Sequence, residues 1–412
     1  MKRRKKKVNS QQSKQDKEAR LNLYKKRVLY FMKLLGCEEA QALISKSYLR
    51  GMYYKRKNNL PIIRQSTRVI ADHQSIRKIQ SDLDVFISDK KIEIYPDGPK
   101  VSPREVMVYI KIIYLLVTAN EKSTDAGVLK IVNQFKEKAP DLNSLYGQAN
   151  MEIGRVMCYI GLSLTHLNER ICWLEYASKN QGKNILENNI EIVEKIPDQL
   201  MIVIDNHPRP VYRLAMAFPG SGFHEVSVSS DQLFLDKSML NVPIPVYFQN
   251  HVLHRLEERL DCLSRTMREY YLYSNLRDPK ISQFKGRTLV EYKIENQSKM
   301  GYLVVEYLDG ILLVKTFLLL SNRGTPEGQQ LEEVSGMNKI DREYWTIDRL
   351  STFQNSDMKD HPKVKEVFEK SGCGTLFHKL PILDHGEEMQ PMQAIQMLKY
   401  LKMDEVNEPN LI

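Results

Sequence analysis

The apolar pattern of this chain changes period near residue 198, and that switch limits the fold more than any other feature of its 412 residues. From about Leu21 to Asn180 apolar residues recur at helical spacing, beginning with Leu21, Tyr24, Val28, Phe31, Met32 and Leu35. Beyond residue 198 come short strand-like runs, LMIVIDN, VYRLAMAF and FHEVSVSS, punctuated by His207-Pro208-Arg209-Pro210 and Pro219-Gly220-Ser221-Gly222 as turns. The expected class is α+β: an N-terminal helical lobe followed by an antiparallel-sheet domain with a central helix. A chain this long outgrows a single core. The expected parts are a disordered basic arm over 1–19, the lobe over 20–195, the sheet domain over 198–355 and a C-terminal extension over 356–412.

Local signals refine the plan. Ser102, Pro103 and Glu105 make a capping box with Pro at the first helical position, so a buried helix should run from there to Thr118. Lys91 to Gly98 reads as a strand ending in a turn. A long helix is expected from Leu145 to Ser178, with His166 a satisfied core residue among its apolar positions. The prolines of Asn241 to Val246 suit an edge strand or crossover. A helix then carries an apolar stripe at Val252, Leu256, Leu260, Leu263, Met267 and Tyr270. Three strands follow, TLVEYKI, MGYLVVEYL and GILLVKTFLLLS, with Asp309-Gly310 as a hairpin turn. Thr325-Pro326 starts a connecting helix, and further helices are expected over Asp341 to Phe353 and Pro391 to Lys402.

Charge is distributed unevenly. Residues 1–30 hold twelve Lys or Arg against Asp16 and Glu18, which equals the whole net charge of +10 and leaves the rest neutral. The feature that seeks a polyanion is therefore the leading segment, with Lys2, Arg3, Arg4, Lys5, Lys6 and Lys7 as candidate contacts to RNA or DNA phosphates. Five cysteines lie scattered with no C-x-x-C pair, which disfavours a disulfide framework and fits a reducing, cytoplasmic setting. The apolar runs Val106 to Val117 and Met157 to Leu167 fall short of the ~20 residues a bilayer span needs, so no membrane association is expected. A protein partner stays open.

One helix concentrates ionisable groups. His251, Arg255 and Arg259 follow i, i+4, i+8 spacing, and His254 and Glu258 form a neighbouring pair. Such a face offers a proton acceptor, cationic clamps and a carboxylate that can orient a histidine. Metal-independent RNA cleavage needs a base for the 2′-hydroxyl, an acid for the leaving oxygen and positive charge at the phosphorus. A salt-bridged helix face of no chemical role has the same composition. His251, His254 and Glu258 with His224 do not make a familiar zinc spacing, and no thiolate supports them. Neither a metal nor a cofactor is expected. Cys373 with His378 is a weaker nucleophile candidate.

The order of elements carries more. A helix with H-x-x-x-R and E-R, a second helical stretch and a three-stranded meander ending in Val314 to Ser321 resembles the RelE/barnase-like superfamily of small toxin ribonucleases, above all its BrnT-like members. The resemblance covers residues 247–321. It implies a compact helix-plus-sheet endoribonuclease that works without a metal, and by position it implicates His254 and Arg255 on the helix and Lys315 and Thr316 on the last strand. His251 and Arg259 come second. The competing expectation is a non-catalytic nucleic-acid-binding or assembly protein that uses the basic arm.

Overall fold

A computed structural model describes residues 2–56, 60–64, 73–138, 142–176, 189–204, 206–233, 241–380 and 397. The expected helix over Pro391 to Lys402 lies, apart from Met397, outside them. The fold is α+β. The described residues group into two compact units, one holding those up to Gly161 with Cys172–Glu194 and Phe218–Ser221, the other Leu162–Ile171, Lys195–Ala217 and those from Gly222 onward.

The first unit opens with a helix over Lys2–Leu34. Residues 2–19, expected as a disordered arm, thus carry helical backbone; Lys, Arg, Gln and Glu are all good helix formers, which composition-based reading of charge overlooks. Tyr24, Val28, Phe31, Met32 and Leu35 are buried. Ser102 Oγ accepts from the Glu105 amide at 3.2 Å and Glu105 Oε2 from the Ser102 amide at 2.9 Å, completing the capping box. The helix it starts reaches Ala119 through a π segment at Val106–Ile110. The helix expected to reach Ser178 instead ends at Leu164. Ile171–Tyr176 is a strand beside Asn189–Lys195, which pairs in parallel with Ile62–Arg64. The lobe therefore contains a small sheet that helical periodicity concealed. ICWLEY is apolar at nearly every position, and such a run does not distinguish a buried strand from a buried helix.

The second unit is built on a mixed sheet. Its elements are β1 Gln199–Ile204, β2 His207–Arg213, β3 Ser227–Ser229, β4 Pro243–Gln249, α1 Asn250–Arg259, α2 Arg265–Arg277, β5 Ile281–Phe284, β6 Arg287–Ile294, β7 Ser298–Leu308 and β8 Ile311–Leu319. The strand order is β5-β6-β7-β8-β4-β2-β1, with β3 paired to the start of β4. Pairing is antiparallel except at β4 and β8, which run parallel through Val246–Leu312, Tyr247–Leu313 and Phe248–Val314.

Three expectations change here. HPRP is strand rather than turn, since β2 begins at His207 and Ile204 already pairs with it. The proline-bearing β4 lies inside the sheet, because Pro243 and Pro245 pair with β3 while proline-free Val246–Gln249 is inserted between β8 and β2. The helix with the long stripe breaks after Leu260, and Ser264 caps a new one by accepting from the Met267 amide. Val252, Leu256, Leu260 and Leu263 are nonetheless buried. Asp309 at φ 47° and Gly310 at φ 83° make the expected β7–β8 turn, and Lys285 and Gly286 repeat it between β5 and β6.

Residues 326–380 close one end of this unit. The helix expected over Asp341 to Phe353 is split into Lys339–Tyr344 and Leu350–Asn355 around Thr346, whose φ is 49°, with Trp345 and Leu350 buried. Phe353, Phe368 and Phe377 pack edge to face at 5.3–5.5 Å. Thr375 Oγ1 donates to the Lys299 carbonyl at 2.7 Å, and Ser298 Oγ meets His378 Nδ1 at 3.1 Å. The stretch up to residue 380 is thus part of the unit's core rather than a trailing extension.

Candidate functional site

α1 begins where β4 ends, so the β4–β2 register decides what surrounds its first turn. Gln249 pairs with Val211, the last rung between the two strands, and Arg209 lies two residues past it toward the start of β2. Val252 and Leu256 face the core. The intervening positions turn His251, His254 and Glu258 to solvent and leave Arg255 and Arg259 half-buried.

Arg255 is the hub. Its Nε donates to His251 Nε2 at 3.3 Å and its Nη1 pairs with Glu258 Oε2 at 2.6 Å. Burial lowers the His251 pKa, Arg255 lowers it further, Glu258 opposes the shift, and His254 and Arg209 add to it. A guanidinium donating to Nε2 needs that nitrogen unprotonated, so the contact and the electrostatics agree on a neutral imidazole. Glu258, expected to orient a neighbouring histidine, contacts Arg255, which in turn contacts His251.

The other candidates separate from this group. Arg259 pairs with the Asp348 carboxylate and donates to its carbonyl at 3.2 Å, which ties α1 to the C-terminal helices and removes it from the candidate phosphate contacts. Lys315 is the extra residue of a β-bulge, since Val304 pairs with Thr316 and Val305 with Val314. Its Nζ binds Glu306 at 2.8 Å. α1 lies along β8, yet among the described residues no hydrogen bond or ion pair joins His251, His254, Arg255 or Glu258 to Lys315 or Thr316. Lys2, Arg3, Arg4, Lys5, Lys6 and Lys7 occupy the leading helical turns of the first unit.

Two alternatives fall away. Cys373 is fully buried with its thiol pushed up to about 12 by that burial, which is the opposite of an activated nucleophile. Among the described residues no group of three His, Cys, Asp or Glu is positioned to hold a metal ion, so His224 does not converge with the α1 histidines. His166, expected inside a helix core, is half-buried in a loop bridging to Arg170, and its pKa is lowered by burial and by Arg265.

Arg209 is the residue that sequence reasoning passed over. Reading HPRP as a turn set it aside; as strand, it is exposed and is a second cation, after Arg255, acting on His251. An open groove of ≈ 580 Å³ among the C-terminal helices, bordered by Lys359, Lys365, Glu369, Thr375 and His378, shares no residue with this group. Compared with family models, curated proteins and solved structures, the chain matches none.

Proposed function

We propose that the second unit is an RNA-directed, metal-independent endoribonuclease core that cleaves by attack of a 2′-hydroxyl on the neighbouring phosphorus. What carries the reading is a neutral, solvent-facing His251 held by Arg255, with a second exposed imidazole, His254, on the same helix. The strand–helix–helix–meander order from β4 to β8 supports it too. One histidine takes the 2′-hydroxyl proton and the other supplies a proton to the departing 5′-oxygen. Arg255 can exchange Glu258 for a phosphate oxygen, with Arg209 adding positive charge at the phosphorane.

The test is end-labelled RNA incubated with the full chain in EDTA. Cleavage with 2′,3′-cyclic phosphate ends is expected, reduced about 100-fold or more in His251→Ala or His254→Ala and absent when the scissile nucleotide is 2′-deoxy. Intact RNA with the wild-type chain would remove the proposal.

A second reading, non-catalytic nucleic-acid binding, is favoured by the continuous helix over Lys2–Leu34, which strings the basic residues along one rod. Under it the chain retains RNA without cutting it, and affinity falls with salt through counterion release.

A further inference from the structure

The first unit carries a row of six aromatic rings in unbroken contact. Tyr30 meets Phe31 edge to face, Phe31 stacks on Tyr109, Tyr109 is tilted against Tyr24, Tyr24 meets Tyr53 and Tyr53 meets Tyr54, with centroids 5.2–5.5 Å apart at every step. Phe31, Tyr24 and Tyr53 are buried and Tyr109 is half-buried. The two ends differ: Tyr30 is 50 % exposed and Tyr54 67 %. A single exposed aromatic is ordinary. Here both ends of one row open to solvent, and each has an arginine on the preceding helical turn.

On the helix over Lys2–Leu34, Arg20, Leu23, Arg27 and Tyr30 follow i, i+3, i+7, i+10 spacing, and all four are exposed. The Arg27 guanidinium lies 5.0 Å from the Tyr30 centroid and 5.3 Å from that of Phe31, and it pairs with Glu105. The helix over Lys46–Lys55 repeats the pattern with exposed Arg50 and Tyr54 at i, i+4. Arg50 meets exposed Glu18 at 3.6 Å, and half-buried Arg56 lies 3.7 Å from the Tyr53 centroid. Exposed pairs such as Arg50–Glu18 are weak, so a polyanion can displace the carboxylate. Residues 20–56 hold nine Lys or Arg against Glu38 and Glu39. The excess of positive charge therefore reaches past the leading segment to where the rings emerge.

We propose that Tyr30 and Tyr54 are stacking platforms for unpaired bases of a single-stranded RNA, whose phosphates run along Arg20, Arg27 and Arg50. A single strand offers the complement of this surface: anionic linkages alternating with open π faces. A duplex keeps those faces stacked inside. The buried rings behind Tyr30 and Tyr54 hold them in place, so they lose little freedom when a base settles on them. Stacking of this kind is indifferent to sequence. That the strand is RNA rests on the function proposed above; that it is single follows from the rings.

The test is fluorescence anisotropy of the full chain with a labelled 2′-O-methyl oligouridylate, a strand that neither pairs with itself nor can be cut through its 2′-oxygen. Inorganic polyphosphate serves beside it as a polyanion without bases. Tyr30→Ala and Tyr54→Ala should each weaken oligouridylate binding about tenfold or more, whereas Tyr30→Phe and Tyr54→Phe should keep it. None of the four should change the salt slope or the affinity for polyphosphate, since no phosphate contact is lost. Both rings are exposed, so far-UV circular dichroism should match wild type throughout. A double Ala variant that binds the oligonucleotide like wild type, or that loses polyphosphate to the same degree, overturns the stacking proposal and leaves the phosphate contacts of the basic helix standing. A wild-type chain that retains no oligouridylate overturns both, and the cleavage reaction enters neither result.

Discussion

Arg255 engages a histidine and a carboxylate together, and this double hold fixes how the α1 face responds to pH. Burial lowers the His251 pKa and the guanidinium lowers it again, so Arg255→Ala should raise it, leaving burial and the smaller pulls of His254 and Arg209 against Glu258. Nuclear magnetic resonance titration of the His251 ring protons reads this directly; an unchanged or lower value would mean that Arg255 does not set the charge of the imidazole. If the proposed chemistry holds, the acid limb of the cleavage profile moves up in parallel. Glu269 behaves differently. It is 5 % exposed, its carboxyl is pushed up to about 7 by burial against a partial counter-pull from Arg265, and its Oε2 has no hydrogen-bond partner. Below the ordinary carboxylate range both folded and unfolded chains hold the proton. Between there and about pH 7 only the folded chain does, so stability falls as pH rises through that window and then levels. Glu269→Gln should flatten this slope and raise stability at pH 8 by up to roughly 3 kcal/mol, measured by urea unfolding at pH 5 and pH 8. Neither behaviour could be read from sequence, because HRLEER and TMREYY look alike as salt-bridged helix faces until burial distinguishes them.

At the scale of elements, what the sequence made legible was the chemistry of termini and turns. The Ser102 capping box, the Thr325-Pro326 start and the Asp309-Gly310 hairpin each depend on a few adjacent residues and nothing distant. The misread elements depend on neighbours far along the chain. HPRP passes for a turn unless β1 is known to pair with it. NVPIPV passes for an edge unless β3 is known to take its prolines. ICWLEY passes for helix unless Asn189–Lys195 is beside it. Gly301 shows the same dependence. A Cβ there would run into the Leu318 carbonyl and stand 2.8 Å from the Phe317 ring, in the middle of the β7–β8 ladder. Gly301→Ala should therefore cost about 1–3 kcal/mol through overpacking, read as a lower urea midpoint, whereas Gly154→Ala, which meets nothing within 4 Å, should not.

At the scale of the whole molecule, the net charge of +10 is matched by residues 1–30 alone, while the α1 group belongs to the other unit. Affinity and chemistry can thus be separated. Deleting residues 2–19 should flatten the dependence of RNA affinity on salt, since each lost phosphate contact removes close to one unit of slope, and should leave the unimolecular cleavage step unaltered. Filter binding at several salt concentrations beside single-turnover cleavage checks both; an unchanged slope would mean that the helix over Lys2–Leu34 is not the anchor.

β4 is bonded to β2, made about thirty residues earlier, and to β8, made about sixty residues later. On a ribosome, a nascent chain that has emerged only as far as Gln249 holds half a sheet whose next neighbour has yet to be translated. Such a chain depends on a chaperone or on delay, and fragments that stop short of Leu319 should be recovered as aggregates rather than as a smaller soluble protein.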